Sequence, residues 1–329
     1  MRHTLSLVVS LSLLLIVGLS CNKDKSANSE AMTVPHAGQF GIYALNLTSG
    51  RTSLLYTVDN EIKSLCLNHS GTRLAFAVKK QTDVTIDTTS EIYVLDIATR
   101  AATQLTDNSY FDIYPSFSPD DSSIVFLSVR DADMDLYLMN AHGADQHLLY
   151  NSGGHDGDVN WGSGGRIAFT RDSQIWSIAP DGTGLQPITD PPDAGVWGNA
   201  DLPMGDYDPR YSPDGTRLTF ERMVDVSYTH GGYDIFVASA DGTNEINLTN
   251  TGSSGYAQGL PNWSHSGDRL IYILAAVVDE GRYDLCMINV DGTDNRVITP
   301  GYYPATFLCR NAVFSDDDAQ VYFIGQWWQ

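Results

Sequence analysis

Residues 207–222 read Y-D-P-R-Y-S-P-D-G-T-R-L-T-F-E-R, and after a short loop residues 233–249 read Y-D-I-F-V-A-S-A-D-G-T-N-E-I-N-L-T. Four runs rich in β-branched and aromatic residues are separated by turn signals, the pattern of a four-stranded antiparallel meander. Ser212-Pro213-Asp214-Gly215 is a type I turn: proline presets φ at the second position and glycine relieves the fourth. Asp241-Gly242 supplies the hairpin turn that follows, with glycine at positive φ. One such meander cannot bury both of its faces, so it needs neighbours.

The first turn recurs as Asn68-His69-Ser70-Gly71, Ser118-Pro119-Asp120-Asp121, Gly162-Ser163-Gly164-Gly165, Ser264-His265-Ser266-Gly267 and Ser315-Asp316-Asp317-Asp318. From start to start the numbering advances by 50, 44, 50, 52 and 51, a period that with four strands per copy predicts a β-propeller. Leu67, Phe117, Trp161, Tyr211, Trp263 and Phe314 precede the turns. Leu74, Ile124, Ile167, Leu218, Leu270 and Val321 follow them, each with an aromatic two residues later: Phe76, Phe126, Phe169, Phe220, Tyr272 and Phe323. Bulky residues at one register in every copy are what twisted sheets need to pack face to face.

Third strands such as Glu91-Ile92-Tyr93 and Asp284-Leu285-Cys286 follow only five of the six turns. The missing copy stands at the other end of the chain, where 40–45 reads as a third strand and 51–57 as a fourth. The last blade is therefore expected to be composite, with 305–324 giving its inner strands and 40–57 its outer ones. Such a closure removes an open sheet edge. The expected fold is all-β: a six-bladed propeller closed by strands from both chain ends.

With its repeated S-P-D-G turn, D-I-Y-type strand and D-G turn over residues 40–324, the chain resembles the TolB-type propeller family. The resemblance implies a six-bladed ring that serves as an interaction platform. The sequence departs from TolB itself in showing no α/β domain of about a hundred residues before the propeller. No G-x-S-x-G occurs, so a propeller-bearing serine peptidase is not indicated.

Residues 1–20 read as a signal peptide, a short basic start followed by an apolar run too short for a membrane span. Val17-Gly18-Leu19-Ser20-Cys21 resembles a bacterial lipobox, in which Cys21 becomes the lipidated N-terminus; cleavage at a neighbouring small residue is the alternative. Residues 21–39 follow as a polar flexible linker, and 40–329 as the propeller. These features predict an exported lipoprotein of the bacterial cell envelope, periplasmic or on the cell surface. The 40 acidic against 19 basic residues, a net charge of −21, repel nucleic acid and anionic lipid. Beyond Cys21, the cysteines Cys66, Cys286 and Cys309 are odd in number and show no zinc spacing; Cys286 reads as a buried thiol.

Meander topology puts the first-to-second and third-to-fourth turns at one end of the ring. The other end receives the second-to-third loops and blade crossings, including the insertions at 80–90, 190–206, 223–232 and 277–283. The turn end offers little chemistry; function is expected on the loop-rich end. There, Asp112, Asp156 and Asp206 share one register with Gln258, and Asp158 and Asp208 share a second, two residues on. Carboxylates crowded in one channel mouth could ligate Ca²⁺ through Asp112, Asp156 and Asp206. Solvated strand starts are the alternative. His155, His230, Trp197 and Tyr228 lie on the same end as candidate binding residues. Asp120, Asp181, Asp214, Asp241 and Asp291 serve turns, because the other positions of a calcium loop are apolar or absent. The leading reading is a non-enzymatic module that binds an envelope protein or peptide through its loop-rich mouth. The alternative is a carbohydrate-active or glycan-binding propeller resembling the oligogalacturonate lyases, with a mouth metal and a histidine taking part. No other cofactor is expected.

Overall fold

The computed structural model describes residues 39–80, 89–131, 133–154, 156–276 and 283–327. The leader, Cys21, His155 and most of the 80–90 and 277–283 insertions lie outside them. Each repeat forms its expected meander. In blade four, Gly205–Tyr211 pairs with Arg217–Asp225, which pairs with Gly232–Ser239, which pairs with Ile246–Asn247. The inner strands of the other blades are Ile62–Leu67, Asp112–Phe117, Asp156–Trp161, Tyr256–Trp263 and Phe307–Phe314. Each inner strand contacts the next, and Phe307–Phe314 contacts Ile62–Leu67, so the contacts run round a full ring of six blades.

Closure follows the composite scheme. Phe40–Asn46 lies antiparallel to Gln320–Trp327 with Ile42 opposite Ile324, and Thr52–Val58 forms the outer edge. Blades four and five are also bridged by one parallel pair, Tyr233 with Ala257.

The register aromatics explain why the ring holds. Phe76, Phe126, Phe169, Phe220, Tyr272 and Phe323 are all at most 1% exposed, as are their partners Leu74, Ile124, Ile167, Leu218, Leu270 and Val321. Truncating one such ring to alanine costs about 3–5 kcal/mol. Cys66, Cys286 and Cys309 are all free thiols, and burial pushes the Cys286 thiol up to about 12. Among the described residues, no helix is long and apolar enough to cross a membrane.

The turns do more than reverse the chain. Asp120 Oδ1 and Asp214 Oδ1 each accept from the serine that opens the turn, both at 2.6 Å. Asp181, Asp241 and Asp291 each accept from the backbone N–H and hydroxyl of a threonine two residues on. The fourth turn position is left-handed in every blade, with Asp121 and Asp318 (φ 59° and 55°) where the other four have glycine. The two exceptions clasp the preceding blade. Asp121 accepts from His69 N and Ser70 N, and Asp318 from His265 N and Ser266 N, all at 2.6–3.0 Å.

Candidate functional site

All six inner strands are bulged at one place. Pairing skips between Lys63 and Leu65, Ile113 and Ser116, Gly157 and Asn160, Tyr207 and Arg210, Gly259 and Asn262, and Arg310 and Ala312. The first bulged residue of five blades is left-handed: Ser64, Tyr114, Asp158, Asp208 and Leu260, with φ of 50–57°. Pro115, Pro209 and Pro261 follow three of them, a residue with no N–H to lose where the ladder is already broken. Bulges re-aim side chains, and here they separate the two carboxylate registers.

The first register turns into the blades rather than into an open mouth. Asp112, Asp156 and Asp206 are 0–2% exposed, and Gln258 is buried beside them in sequence register, its Nε2 donating to Thr251. Asp112 accepts from Ser128, from Asn108 at 2.8 Å and from Arg130 at 3.1 Å. Asp206 receives a bidentate contact from Arg222 at 2.6 and 2.9 Å, and the same guanidinium holds Glu245. Neither carboxylate is a solvated strand start, and each already has its cation. The expected Asp112–Asp156–Asp206 cation triad is therefore divided among separate blades. Among the described residues, no group of three or more His, Cys, Asp or Glu could hold a metal ion. Asp156 differs from its register mates: neither oxygen has a hydrogen-bond partner among the described residues, and burial pushes its carboxyl up to about 8.

The second register converges at the centre. Asp158 Oδ2 accepts from Thr170 Oγ1 at 3.3 Å and from Asp208 N at 3.4 Å. Asp208 is fully buried; its partner is Arg210 Nη2 at 3.6 Å, and neither of its oxygens has a hydrogen bond among the described residues. Glu221, which the sequence reading did not single out, joins them from the second strand and accepts Leu260 N–H at 2.8 Å. Gly259 makes room for it, since a Cβ there would stand 2.2 Å from Glu221 Oε2. Burial, and then the mutual repulsion of the carboxyls, raises Asp208 well above the usual range; burial likewise raises Asp158 and takes Glu221 to about 8. Three acids and one guanidinium thus meet, and burial shifts each acid toward its protonated form. A signal for Glu221 did exist: the other blades place Ala77, Leu127, Thr170, Ile273 and Ile324 after the register aromatic.

On the loop-rich end, the two long insertions of blade four join. Asn199 N donates to Val226 O at 2.7 Å, Asp201 N to Thr229 O at 3.0 Å, and His230 Nδ1 lies 3.0 Å from Asp201 Oδ2. His230 is thereby engaged within the lobe. Tyr228 is half-buried in it and Trp197 stands 64% exposed. Tyr110, Val196 and Tyr256, at the starts and crossings of this end, are 41–49% exposed.

The turn end, expected to be featureless, opens into a cavity of about 220 Å³. Its rim includes His69, Ser163, Pro213, His265 and Asp316; Tyr114 and Arg210 lie deeper, and Phe117, Trp161, Trp263, Asn160 and Asn262 line the wall. The turns themselves stay small and polar, so what the sequence reading missed is the space their ring encloses.

No family model matches the chain. It is 27% identical over 229 residues to an uncharacterised protein of Agrobacterium fabrum, covering 66% of this chain and 72% of that one. A TolB homolog of Chlorobium luteolum is 28% identical over 152 residues, which cover 45% of this chain and 31% of the relative. A protein solved under the provisional name TolB from Agrobacterium tumefaciens superposes over 88% of this chain and 99% of its own, with a TM-score of 0.65 at 16% identity. An oligogalacturonate lyase from Vibrio parahaemolyticus matches over 86% of this chain and 76% of its own (TM-score 0.51, 13% identity), so likeness of this kind carries the ring and not the chemistry. By its repeat, its composite closure and these relatives, the chain is similar to the TolB-type proteins and shares their six-bladed β-propeller fold.

Proposed function

We propose that this propeller is a non-enzymatic binding module of the bacterial cell envelope that engages a protein or peptide through its loop-rich end. One observation carries the reading: Tyr110, Val196, Trp197 and Tyr256 are each exposed on segments of that end. Exposed aromatics are the side chains that anchor protein interfaces. The TolB resemblance supports the same class. The carbohydrate-active alternative has less support, because His230 is committed to Asp201.

The leader and Cys21 complete the proposal as an export signal and a lipid anchor, which hold the ring at a membrane by its N-terminus. The test is capture from envelope extract on immobilised propeller, repeated with Trp197→Ser and Tyr256→Ser. A partner retained by the native ring and lost with both variants supports the reading; equal retention by both overturns it. In cells, Cys21→Ser should move the protein from the membrane to the soluble fraction.

A further inference from the structure

Every blade ends in an outermost strand, and one of the six differs from the rest. In blades one to five it is Ala102–Gln104, His147–Tyr150, Gln186–Pro187, Ile246–Asn247 or Arg296–Val297, two to four residues long. In blade six it is Thr52–Val58, seven residues long, paired on one side with Phe40–Asn46 and last in its sheet. A short strand, a proline or a charge is how a protein blunts a free row of N–H and C=O groups. Blade three has Pro187 there and blade five Arg296, whereas Thr52–Val58 carries neither proline nor charge. No acidic residue stands anywhere from 40 to 58, although the chain has 40 of them.

This edge is held in place from within. Leu54 packs on the core cluster of Tyr43 and Phe323, while Leu55, Tyr56 and Val58 pack on that of Ile42 and Phe76. Tyr303 Oη donates to Thr52 Oγ1 at 2.9 Å.

The order of residues singles out the occupant. Residues 51–59 read R-T-S-L-L-Y-T-V-D, and laid antiparallel on themselves about Leu55 they match at each position. Arg51 meets Asp59, Thr52 meets Val58, Ser53 meets Thr57 and Leu54 meets Tyr56. Opposite charges, paired hydroxyls and aromatic–aliphatic pairs are favourable cross-strand combinations. Arg51, Ser53, Thr57 and Asp59 are exposed. Among the described residues the Arg51 guanidinium has no partner, and Asp59 accepts from Gln39 alone, at 2.6 Å. The strand bulges at Leu55 against Phe40–Asn46. A two-fold axis there sets bulge against bulge and leaves two matched runs, 52–54 and 56–58, to carry the ladder.

We propose that the outer edge of blade six pairs with the same edge of a second copy of this chain, antiparallel about a two-fold axis at Leu55. A second copy supplies the complement of both Arg51 and Asp59 by symmetry, and its edge brings no carboxylate except the one that Arg51 meets. The contact is one strand wide and joins two bodies of net charge −21, so the dimer is weak and concentration-dependent. It uses none of the residues assigned to the loop-rich end, so either reading can fail alone.

The test begins with full-length protein in bacterial cells, oxidised with copper–phenanthroline. Ser53→Cys combined with Thr57→Cys should give a reducible homodimer. The native chain and Thr103→Cys, on the exposed edge strand of blade one, should not. In sedimentation equilibrium of the purified protein, Arg51→Asp should weaken the dimer about tenfold, and Arg51→Asp/Asp59→Arg should restore it. An equal mixture of the Arg51→Asp and Asp59→Arg single variants should dimerise better than either alone. All four substituted side chains are exposed, so the core is spared. A protein that stays monomeric up to about 1 mM overturns the pairing. A dimer indifferent to Arg51→Asp, or not restored by the charge exchange, overturns the register. A cross-link from the paired cysteines to a different polypeptide, in place of the homodimer, overturns the second copy as occupant.

Discussion

Aspartates at the turns and carboxyls at the ring centre carry the same functional group and lie on opposite sides of its ordinary acidity. Asp120 and Asp214 accept hydroxyl and backbone N–H groups in exposed turns, which hold both at about 2. Asp158, Asp208 and Glu221 meet at the bulges, where lost hydration outweighs one guanidinium and drives them upward, Glu221 to about 8. Burial against hydrogen bonding in water, rather than residue type, decides the outcome. The consequences for stability run in opposite directions. A depressed turn carboxyl contributes stability that is present above its unfolded value and lost as pH falls through about 2. A raised central carboxyl contributes stability that is full below its unfolded value and lost as pH rises through about 8. Together they place the greatest stability in weakly acidic solution, with stability falling from there toward alkaline pH.

The largest effect expected from breaking this comparison lies at a buried carboxylate held by an arginine, where burial raises the carboxyl and the guanidinium opposes the rise. Arg222→Leu strands Asp206, which is fully buried, and removes the partner of Glu245. Removing one member of a buried pair costs about 3–5 kcal/mol. Urea unfolding should show a loss of that size, with Asp206→Asn/Arg222→Leu recovering much of it. A loss within about 0.5 kcal/mol would mean that water already reaches Asp206, and the contrast between centre and surface would fail there.

The fold was legible because its signals are local and repeated. Phe76 through Phe323 recur two residues past an aliphatic, and burial on both faces leaves such a register no second reading. The composite blade was legible because 40–45 carries a third-strand pattern with no first strand ahead of it. The site was legible only in residue type. Asp112 and Asp206 were visible as one register, but their arginines stand 18 and 16 residues on, at Arg130 and Arg222, and reach back only once the strands are paired. The bulge that sends Asp208 to the centre and Asp206 into the blade falls within three residues, and nothing short of the broken pairing distinguishes them. The cavity is less legible still, since it is the space left by six turns whose own residues are unremarkable.

Glu221→Gln sharpens the comparison at the centre. The amide keeps the acceptor that Leu260 N–H needs and removes the group that must ionise. The native protein should lose stability as pH rises from about 6 to 9, and the variant should lose about 2 kcal/mol less over that span, a discounted figure because Arg210 offsets part of the cost. Parallel curves for the two proteins would place the titration elsewhere, with Asp156, also raised to about 8, the first group to examine through Asp156→Asn.

Asp214→Ala should give the smallest effect and the opposite pH signature. Asp214 Oδ1 accepts from Ser212 Oγ at 2.6 Å, Thr216 N at 3.0 Å and Thr216 Oγ1 at 2.8 Å, all in an exposed turn where water replaces what is removed. Three short hydrogen bonds therefore amount to a loss of no more than about 1 kcal/mol at neutral pH. The loss should shrink toward zero as pH falls to about 2, because the native carboxyl is then protonated as well. For Glu221→Gln the difference grows instead toward alkaline pH, so the two difference curves bend at opposite ends of the scale. If Asp214→Ala instead kept a constant deficit down to acid pH, the turn would be held by shape, through Pro213 and Gly215, rather than by the charge of its aspartate.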